Sequence, residues 1–520
     1  MTRRGMGTAA LVVSAGILAS RLLGLLRNAL LAALLGRTVQ GDVYQAAFLI
    51  PDFLNYLMAG GYMSITFIPI LSRHLGAGRT EDGWKAFAAV ATWVGGLTSL
   101  LTLLLMALSQ PITQLLYPRL APSQVAEVAN LTRIVLPAQV FFVLGSLFMA
   151  VQYAHKRFAL PSLAPVVYNL GIIGGGLLTS WGGEPSPAGF AWGALVGAAV
   201  GNFGLQVIGA QRSGWRWTRP PRRDPAVRTY FVMALPLMIG QSIAVLDEQF
   251  VRVFGQLAPD GGIAGLAYAR QLHMVPVGLI AQAAGVAAYP YLAGLAAAGR
   301  LGDLVSTAAG AIRHSLFAAG AAAAAMVAGA TPLVRLLLQH GEFEPADTAV
   351  VAPLLAVFVI SLPAWAVHQV VSRSFYARAQ MWTPVTIGTG VALLAAGAAV
   401  PLYERLGLVG LAWLSSAAMT VYALILFIVW TRSGAAPVRS AIAASWTRCL
   451  LSGSVAATAG RLVADRIDST SLLDGVLGLL GAGTVAAAAY GSVALLLKSP
   501  EPKELYRRAG VSGGGRGGDV

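Results

Sequence analysis

The chain has 520 residues, of which 57% are hydrophobic and only 11% are charged, whereas soluble proteins carry about 25% charged residues. Apolar segments recur along the whole length, so the composition excludes both a soluble protein and a soluble domain with a single membrane anchor. The formal net charge of +15 is spread over short loops, which argues against a nucleic-acid-binding face. Because open sheets cannot pair their backbone groups in lipid, we predict an all-α polytopic membrane protein.

Cutting the sequence at clusters of polar residues, proline and glycine predicts about fourteen transmembrane helices. The first apolar run continues past Leu35 with arginines inside it, so we interpret it as a span rather than a cleaved signal peptide. If the N-terminus is cytoplasmic, most of the 36 lysines and arginines lie on that side, which predicts that both termini are cytoplasmic. The predicted spans are 8–36, 42–72, 85–111, 126–154, 160–181, 188–211, 228–256, 263–297, 307–339, 346–378, 382–403, 408–432, 440–464 and 470–497.

An internal repeat divides the chain. YAHKRFALP, which ends at Pro161, matches YARAQMWTP, which ends at Pro384, and nearly the same offset separates Tyr44 from Tyr268. An offset of six helices keeps the same orientation, so we predict two six-helix lobes related by a parallel repeat, plus two extra C-terminal helices. The predicted parts are an N-terminal lobe (1–212), a basic cytoplasmic linker (213–227), a C-terminal lobe (228–432), spans 13 and 14 (433–497) and a cytoplasmic tail (498–520).

Two arginines, Arg21 and Arg27, lie inside the first predicted span, and Asp42 opens the second. An arginine at the centre of a membrane helix costs about 2.5 to 3.5 kcal/mol by insertion scales, so each needs a partner, a wet cavity or a ligand. The two arginines are close enough along the helix to face one cavity. We interpret them as a cationic site for an anionic head group, since guanidinium groups match phosphate oxygens. The alternative is that they pair internally, Arg27 with Asp42, or reach the interface.

The corresponding region of the second half also carries charges in predicted spans. The run LDEQFVR places Asp247, Glu248 and Arg252 in span seven, and Arg270 lies early in span eight. Arg252 and Arg270 are candidates for the same substrate site. Asp247 and Glu248 are candidates for an ion site or for charge partners of Arg252, which would make that arginine structural.

No enzyme motif is present in the sequence. It has no GxxxxGK[ST] loop, HExxH, CxxC or GxSxG, so we predict a protein that is not an enzyme. The one cysteine, Cys449, excludes an intrachain disulfide. Without a nucleotide site, uphill transport must draw on an ion gradient or the membrane potential, and the metal or coupling ion stays unidentified.

Several segments resemble one known family. SRLLGLLRN followed by IPDFLNYLMAGGYMSITFIPILS resembles the opening of the MurJ (MviN) family, lipid II flippases of the multidrug/oligosaccharidyl-lipid/polysaccharide exporter superfamily. The resemblance continues through RFALPSLAPVVYNLGII, GLAYARQLHMVPVGLI, LLQHGEF and SRSFYARAQMWTP, and covers about spans one to twelve. It implies a central cationic cavity, with the last two helices forming an apolar groove for a lipid tail. By motif, Arg21, Arg27 and Asp42 match charged residues of the family.

The resemblance is incomplete at polar positions of the first two spans. In the family, an aspartate usually follows the second arginine of span one. In span two, basic residues often follow the proline, and a glutamate precedes the glycine of an AEGAF motif. This chain has Asn28, Asn55 with Tyr56, and Gly60 at those positions.

Two later spans depart as well. In span eight the usual YADRL or YANRL is YARQL, which places a positive charge at Arg270. In span eleven Gln380 replaces an aspartate that, with the aspartate of span seven, resembles a sodium ligand in some members. Asp247 is kept without that partner, which argues against sodium coupling by this pair. We predict no cofactor.

The resemblance implies a multi-pass flippase of the bacterial cytoplasmic (inner) membrane. It would move lipid II from the cytoplasmic to the outer leaflet by alternating access, and its partners would be membrane lipid and an undecaprenyl-pyrophosphate-linked saccharide, with the protein acting as a monomer. Arg21 and Arg27, with Arg252 or Arg270, would hold the pyrophosphate. Two alternatives stay open, a flippase for another polyprenyl-pyrophosphate-linked glycan and a cation-coupled multidrug exporter, although the latter would need acidic cavity residues.

Overall fold

The structure is a computed structural model that describes residues 3–58, 62–181, 184–221, 224–241, 246–467, 472–502 and 504. Within these ranges it leaves out the side chains of residues 3–14, 62–65, 236–241, 246–248, 433, 434, 437 and 472. All regular secondary structure in the described ranges is helical. The predicted all-α class is therefore confirmed.

Packing divides the chain into two units. The first comprises Met1–Ala264 and His340–Glu344, and the second comprises Gly265–Gln339 and Pro345–Val520. The helices of the first unit are α1 (Arg3–Leu35), α2 (Val39–Ala47), α3 (Leu49–Met58), α4 (Tyr62–Gly76), α5 (Thr80–Ala107), α6 (Ser109–Leu116), α7 (Pro122–Val135), α8 (Ala138–Ala154), α9 (Ala159–Trp181), α10 (Pro187–Gly197), α11 (Leu205–Arg212), α12 (Pro225–Gln241) and α13 (Leu246–Gly255), with a π-helical segment (Ala198–Gly204) between α10 and α11.

The second unit begins within α14 and holds the remaining helices. They are α14 (Gly262–Pro276), α15 (Ala283–Ala297), α16 (Leu301–Ala328), α17 (Ala330–Leu338), α18 (Pro345–Ile360), α19 (Leu362–Ala377), α20 (Trp382–Trp430), α21 (Arg439–Ala464) and α22 (Leu472–Leu496). π-Helical segments follow α14 (Val277–Gln282) and α20 (Thr431–Ala435), and a short 3₁₀ helix (Ala436–Val438) precedes α21.

An aromatic cluster fills the core of the first unit. The Phe87 ring centroid lies 5.7 Å from that of Phe67, 5.0 Å from that of Phe148 and 5.6 Å from that of Trp215. These contacts join α4, α5 and α8 to the segment that follows α11. Because α12 packs against α3, α4 and α5, it belongs by packing with the first unit, whereas the sequence repeat groups it with the later helices.

The repeat is visible in the helix boundaries. α5 begins at Thr80 and α16 at Leu301, while α9 begins at Ala159 and α20 at Trp382. In each pair, the two helices begin nearly as many residues apart as Pro161 and Pro384. The predicted repeat of helices is therefore confirmed.

Nearly the same offset relates the tight turns. A positive φ is uncommon for L residues and is therefore a specific marker of backbone conformation. Three pairs of turn residues have a positive φ, and the two members of each pair are separated by closely similar numbers of residues. One of these pairs contains no glycine. The pairs are Gly36 (φ 58°) with Gly261 (φ 85°), Gly78 (φ 71°) with Gly299 (φ 70°), and Lys156 (φ 59°) with Ala379 (φ 57°).

The number of spans remains a prediction. Nine helices of the described chain are long and apolar enough to cross a membrane, or ten if the bent pair α18 and α19 counts as one span. The second predicted span is broken into α2, α3 and α4, which are each too short to qualify. Conversely, α20 joins the eleventh and twelfth predicted spans across Gly407, whose φ of 61° and ψ of −148° are not helical.

A short loop between α17 and α18 belongs to the first unit and packs on the end of α1. The Glu342 amide donates a hydrogen bond of 2.8 Å to the Ala33 carbonyl. A Cβ on Gly341, where φ is 57°, would come within 2.2 Å of that carbonyl. The close approach therefore requires a glycine in this loop.

The last turn of the described chain docks onto helices of the second unit. α21 and α22 pack on each other and on α16. Beyond α22, Glu501 accepts hydrogen bonds from the Ser445 hydroxyl at 2.7 Å and from Arg313 Nε at 3.1 Å. Its side chain is only 3% exposed. Burial alone would raise the pKa of Glu501, but the Ser445 hydroxyl and the Arg313 guanidinium stabilise the carboxylate and hold the pKa below its ordinary value.

Replacing Glu501 with glutamine (Glu501→Gln) is expected to lower the stability by about 2 kcal/mol at pH 7, because a neutral amide loses charge-assisted hydrogen bonds. Since the folded-state pKa lies below the ordinary value of about 4.3, this stabilisation is present above that pH and is lost as the pH falls. Thermal unfolding of the detergent-solubilised protein between about pH 7 and 3 measures both effects. Glu504→Gln, at a side chain that is 39% exposed, is the matched control and should lose less. Equal melting temperatures of Glu501→Gln and wild type at pH 7 would contradict the assignment.

Candidate cationic site

The two arginines of α1 differ in their surroundings. Arg21 is exposed on the helix face that it shares with Ile17 and Leu18. Arg27 is half-buried and donates hydrogen bonds to Asn28 Oδ1 from Nε at 3.3 Å and from Nη2 at 3.1 Å. Among the residues that the structure describes, neither arginine has a carboxylate in ion-pair contact. The described side chain that orients the Arg27 guanidinium is therefore the neutral amide of Asn28.

Arg252 pairs with a residue that the sequence did not single out. Its Nη1 lies 2.7 Å from Asp52 Oδ2 and 3.3 Å from Gln249 Oε1. The ion pair joins α13 to α3. The candidates Asp247 and Glu248 lie in α13, but their side chains fall outside the described residues, so their predicted roles remain predictions.

Three charges of the first unit form one cluster, which we call the cationic cluster: Arg27, Asp52 and Arg252. The phenols of Tyr44 and Tyr168 each lie within electrostatic range of all three charges. Among the described side chains, the cluster holds two guanidinium groups and one carboxylate. Guanidinium groups beside two phenols suit a phosphate-bearing ligand.

Neutral amides line the same helices. Asn55, one turn after Asp52 on α3, donates from its Nδ2 to Gln139 Oε1 at 2.9 Å. Asn28 is buried beside Arg27. These two asparagines occupy positions where the family usually carries charge, whereas Gly60, the third departure, lies outside the described residues. The charge of this region therefore comes from Asp52 and Arg252 as well as from α1.

Asp42 does not pair with Arg27, so that predicted alternative is wrong. Its carboxylate is buried and accepts two backbone hydrogen bonds of 2.7 Å, one from the Gly261 amide to Oδ2 and one from the Ala264 amide to Oδ1. These amides lie at the start of α14, where backbone N–H groups have no carbonyl partners within the helix. Asp42 thus serves as an N-terminal cap that ties α2 to the turn before α14.

Arg270 lies on α14 in the second unit, where its side chain is buried. The nearby His273 ring stacks on Phe358, with 6.1 Å between centroids. At the end of the tenth predicted span, the Arg378 guanidinium lies over the Phe375 ring, 5.0 Å from its centroid. Among the described residues, no group of three or more histidine, cysteine, aspartate or glutamate side chains is placed to hold a metal ion.

Sequence comparison identifies relatives of one kind. A family model described as lipid II flippase MurJ matches residues 31–473. A protein of Rhizobium meliloti (strain 1021), named probable lipid II flippase MurJ, is 27% identical over 428 residues, which cover 80% of this chain and 79% of that protein. A protein of Burkholderia cenocepacia, named lipid II flippase MurJ, is 27% identical over 395 residues, which cover 74% of this chain and 76% of that protein.

Solved structures share the fold. A structure described as lipid II flippase MurJ in an inward closed conformation has a TM-score of 0.75 and 21% identity, covering 95% of this chain and all of that one. An inward-facing MATE family multidrug resistance transporter of the MOP superfamily has a TM-score of 0.66 and 15% identity, covering 81% of this chain and 96% of that one. At these identities the likeness concerns the fold. Because the family model spans most of the sequence, the chain belongs to the MurJ family of lipid II flippases.

Proposed function

We propose that this protein is a lipid II flippase of the bacterial cytoplasmic membrane, which moves its substrate from the inner to the outer leaflet by alternating access. The observation that carries the proposal is the cationic cluster. Membership of the MurJ family and the names of the relatives support lipid II as the cargo. Transport of this kind makes and breaks no covalent bond, so the protein needs no catalytic residue.

The cationic cluster accounts for recognition of the pyrophosphate. Arg27 and Arg252 present guanidinium groups, whose planar N–H donors match phosphate oxygens. Both side chains are at least partly withdrawn from water, and charge-assisted hydrogen bonds are stronger where water is excluded. Arg21 lies exposed earlier on α1, where it can meet the head group before Arg27. Arg270 remains a proposed contributor from the second unit.

Asp42 has a different part in this proposal. Both of its oxygens accept backbone amides, so in this conformation it anchors the turn before α14 and does not contact the head group. Asp42 is therefore a positioning residue.

The membrane potential can drive the return of the empty carrier. A flippase whose site holds excess arginine is positively charged without substrate, and a bacterial membrane is negative inside. Moving one charge through 100 mV is worth about 2.3 kcal/mol. The potential thus favours return of the empty site to the cytoplasmic side without a nucleotide.

Another polyprenyl-pyrophosphate-linked glycan is the second candidate cargo. The cationic cluster recognises a pyrophosphate whatever sugar it carries, and the amides of Asn28 and Asn55 replace charges that the family usually has. A multidrug exporter would require an acidic site for cationic drugs, whereas the cationic cluster has two arginines to one aspartate. The fold shared with MATE transporters therefore carries no argument for drug export.

Arg27→Ala is expected to abolish rescue of cells depleted of their own lipid II flippase, and to lower translocation at least about tenfold, since a hydrogen bond between charged groups is worth about 1.5 to 3 kcal/mol. Arg133→Ala is the matched control, because the Arg133 guanidinium bonds to the Met106 carbonyl and to Asn130. Membrane levels are measured by immunoblot. Full rescue by Arg27→Ala would assign the arginine a structural role, and failure of the wild type to rescue would favour the second cargo.

Asp42→Ala is expected to destabilise the protein by about 1 to 2 kcal/mol, because two amides of the α14 turn lose their acceptor. Thermal unfolding in detergent measures the change. Asp303→Ala is the control, since Asp303 also lies in the first turn of a helix but is exposed and pairs only with Arg300 among the described residues. A drop no larger than that of the control would refute the capping role.

Collapse of the membrane potential is expected to slow repeated translocation severalfold in proteoliposomes, because the positively charged empty site loses its bias toward the inside. An ionophore titration of a fluorescent substrate assay measures the dependence. A single turnover should change less than repeated turnovers. Identical multiple-turnover rates with and without a potential would rule out this return step.

A further inference from the structure

Two tyrosines of the first unit border the cationic cluster. Tyr44 lies on α2 and Tyr168 lies on α9. Each phenol is within electrostatic range of Arg27 and of Arg252, and the two phenols are within that range of each other. The two tyrosines therefore bring hydroxyl groups toward the guanidinium groups from two further helices of the same unit.

Aromatic packing fixes both rings. The Tyr44 ring centroid lies 4.9 Å from that of Phe48 and 5.8 Å from that of Phe190, and Tyr44 is only 5% exposed. The Tyr168 ring packs edge-on against Phe142, with 5.2 Å between the centroids. Ring contacts of this kind use the apolar body of a tyrosine and leave its hydroxyl for a polar partner. The direction of each C–O bond is therefore set before a ligand arrives.

The hydroxyls of Tyr44 and Tyr168 make no hydrogen bond with any residue that the structure describes. The Tyr422 hydroxyl shows the usual arrangement, because it donates to the Pro384 carbonyl at 2.9 Å. A phenol that is withdrawn from water normally finds such a partner. Neither oxygen belongs to the fully enclosed polar atoms of the described chain, whereas the Tyr230 oxygen does. Both hydroxyls are therefore available to a ligand.

A phosphate group is the ligand that suits these hydroxyls. Its ionised oxygens accept hydrogen bonds, guanidinium groups only donate them, and a phenol can donate one. Arg27 and Arg252 attract an anion to the cluster, and a hydrogen bond to an ionised acceptor is about twice as strong as one between neutral groups. The phenols thus add bonds of fixed direction without adding charge.

We propose that Tyr44 and Tyr168 donate hydrogen bonds to phosphate oxygens of the substrate's pyrophosphate. The inference rests on the proposed function and adds two binding residues to the same site. The arginines attract the anion from a distance, whereas the phenols contact its oxygens directly and orient them. A ligand without phosphate gains nothing from either hydroxyl.

The test removes only the two hydroxyls. Tyr44→Phe and Tyr168→Phe should each weaken binding of inorganic pyrophosphate and of undecaprenyl pyrophosphate about tenfold, because each loses one hydrogen bond to an ionised oxygen. Affinities are measured on the full-length protein in detergent. Undecaprenol, which has the same tail but no phosphate, should bind the variants and the wild type equally. The melting temperature of the unliganded protein should not fall, since no hydrogen bond between described residues is lost.

Tyr230→Phe is the matched control. Its hydroxyl is enclosed in the same unit without a hydrogen-bond partner among the described residues, and it does not border the cationic cluster, so anion affinity should stay unchanged. An unchanged pyrophosphate affinity in Tyr44→Phe or Tyr168→Phe would overturn the role of that tyrosine. Weaker binding of undecaprenol or a lower melting temperature would also overturn it, because either result marks a structural role.

The same measurements separate this inference from the proposed function. If the wild type binds neither inorganic pyrophosphate nor undecaprenyl pyrophosphate, the proposed function fails as well. If the wild type binds both probes and both phenylalanine variants bind them equally well, only the role of the two tyrosines fails.

Discussion

An arginine held within a membrane protein must have its charge balanced, and the site of this protein depends on that requirement. Arg252 is nearly buried, and Asp52 lies 2.7 Å away on another helix. An unpaired charge in such surroundings is costly, because its desolvation is not compensated. Among the described side chains, Asp52 offsets one of the two arginines of the cationic cluster, and Arg27 bonds only to the neutral Asn28. The guanidinium of Arg27 can therefore still attract an anion.

The same arginine-bearing unit is fixed by hydrogen bonds that backbone amides donate. Asp42 holds the amides of Gly261 and Ala264, and the Glu342 amide bonds to the Ala33 carbonyl near the end of α1. Both contacts involve turns with positive φ, where glycine permits the close approach. They fix the ends of α1 and α2 while the cluster lies along α1, α3 and α13.

The fold could be predicted from the sequence further than the site could. Apolar composition specifies helices, and the repeat offset is a property of the sequence that reappears in the boundaries of α5, α9, α16 and α20. The contact between Arg252 and Asp52 could not be found in this way. Local rules point to acids within about one turn, Glu248 or Asp247, whose side chains lie outside the described residues. Asp52 lies on a different helix, far away in the sequence. The signal was present, since Asp52 is an acid within the apolar run IPDFL, but nothing local says which cation it meets.

The departures from the family pattern gain a physical meaning from these contacts. Relative to the usual pattern, Asn28 replaces an acidic residue on α1, and Asn55 with Tyr56 replaces basic residues on α3, while Asp52 and Arg252 form an ion pair nearby. At low dielectric, Coulomb interactions act over distances of several residues. The total charge around a ligand therefore affects its binding more than the choice of helix that carries each charge. Comparison position by position therefore counts only losses here. Among the described side chains, the fold nevertheless brings two arginines and one aspartate together around the same two phenols.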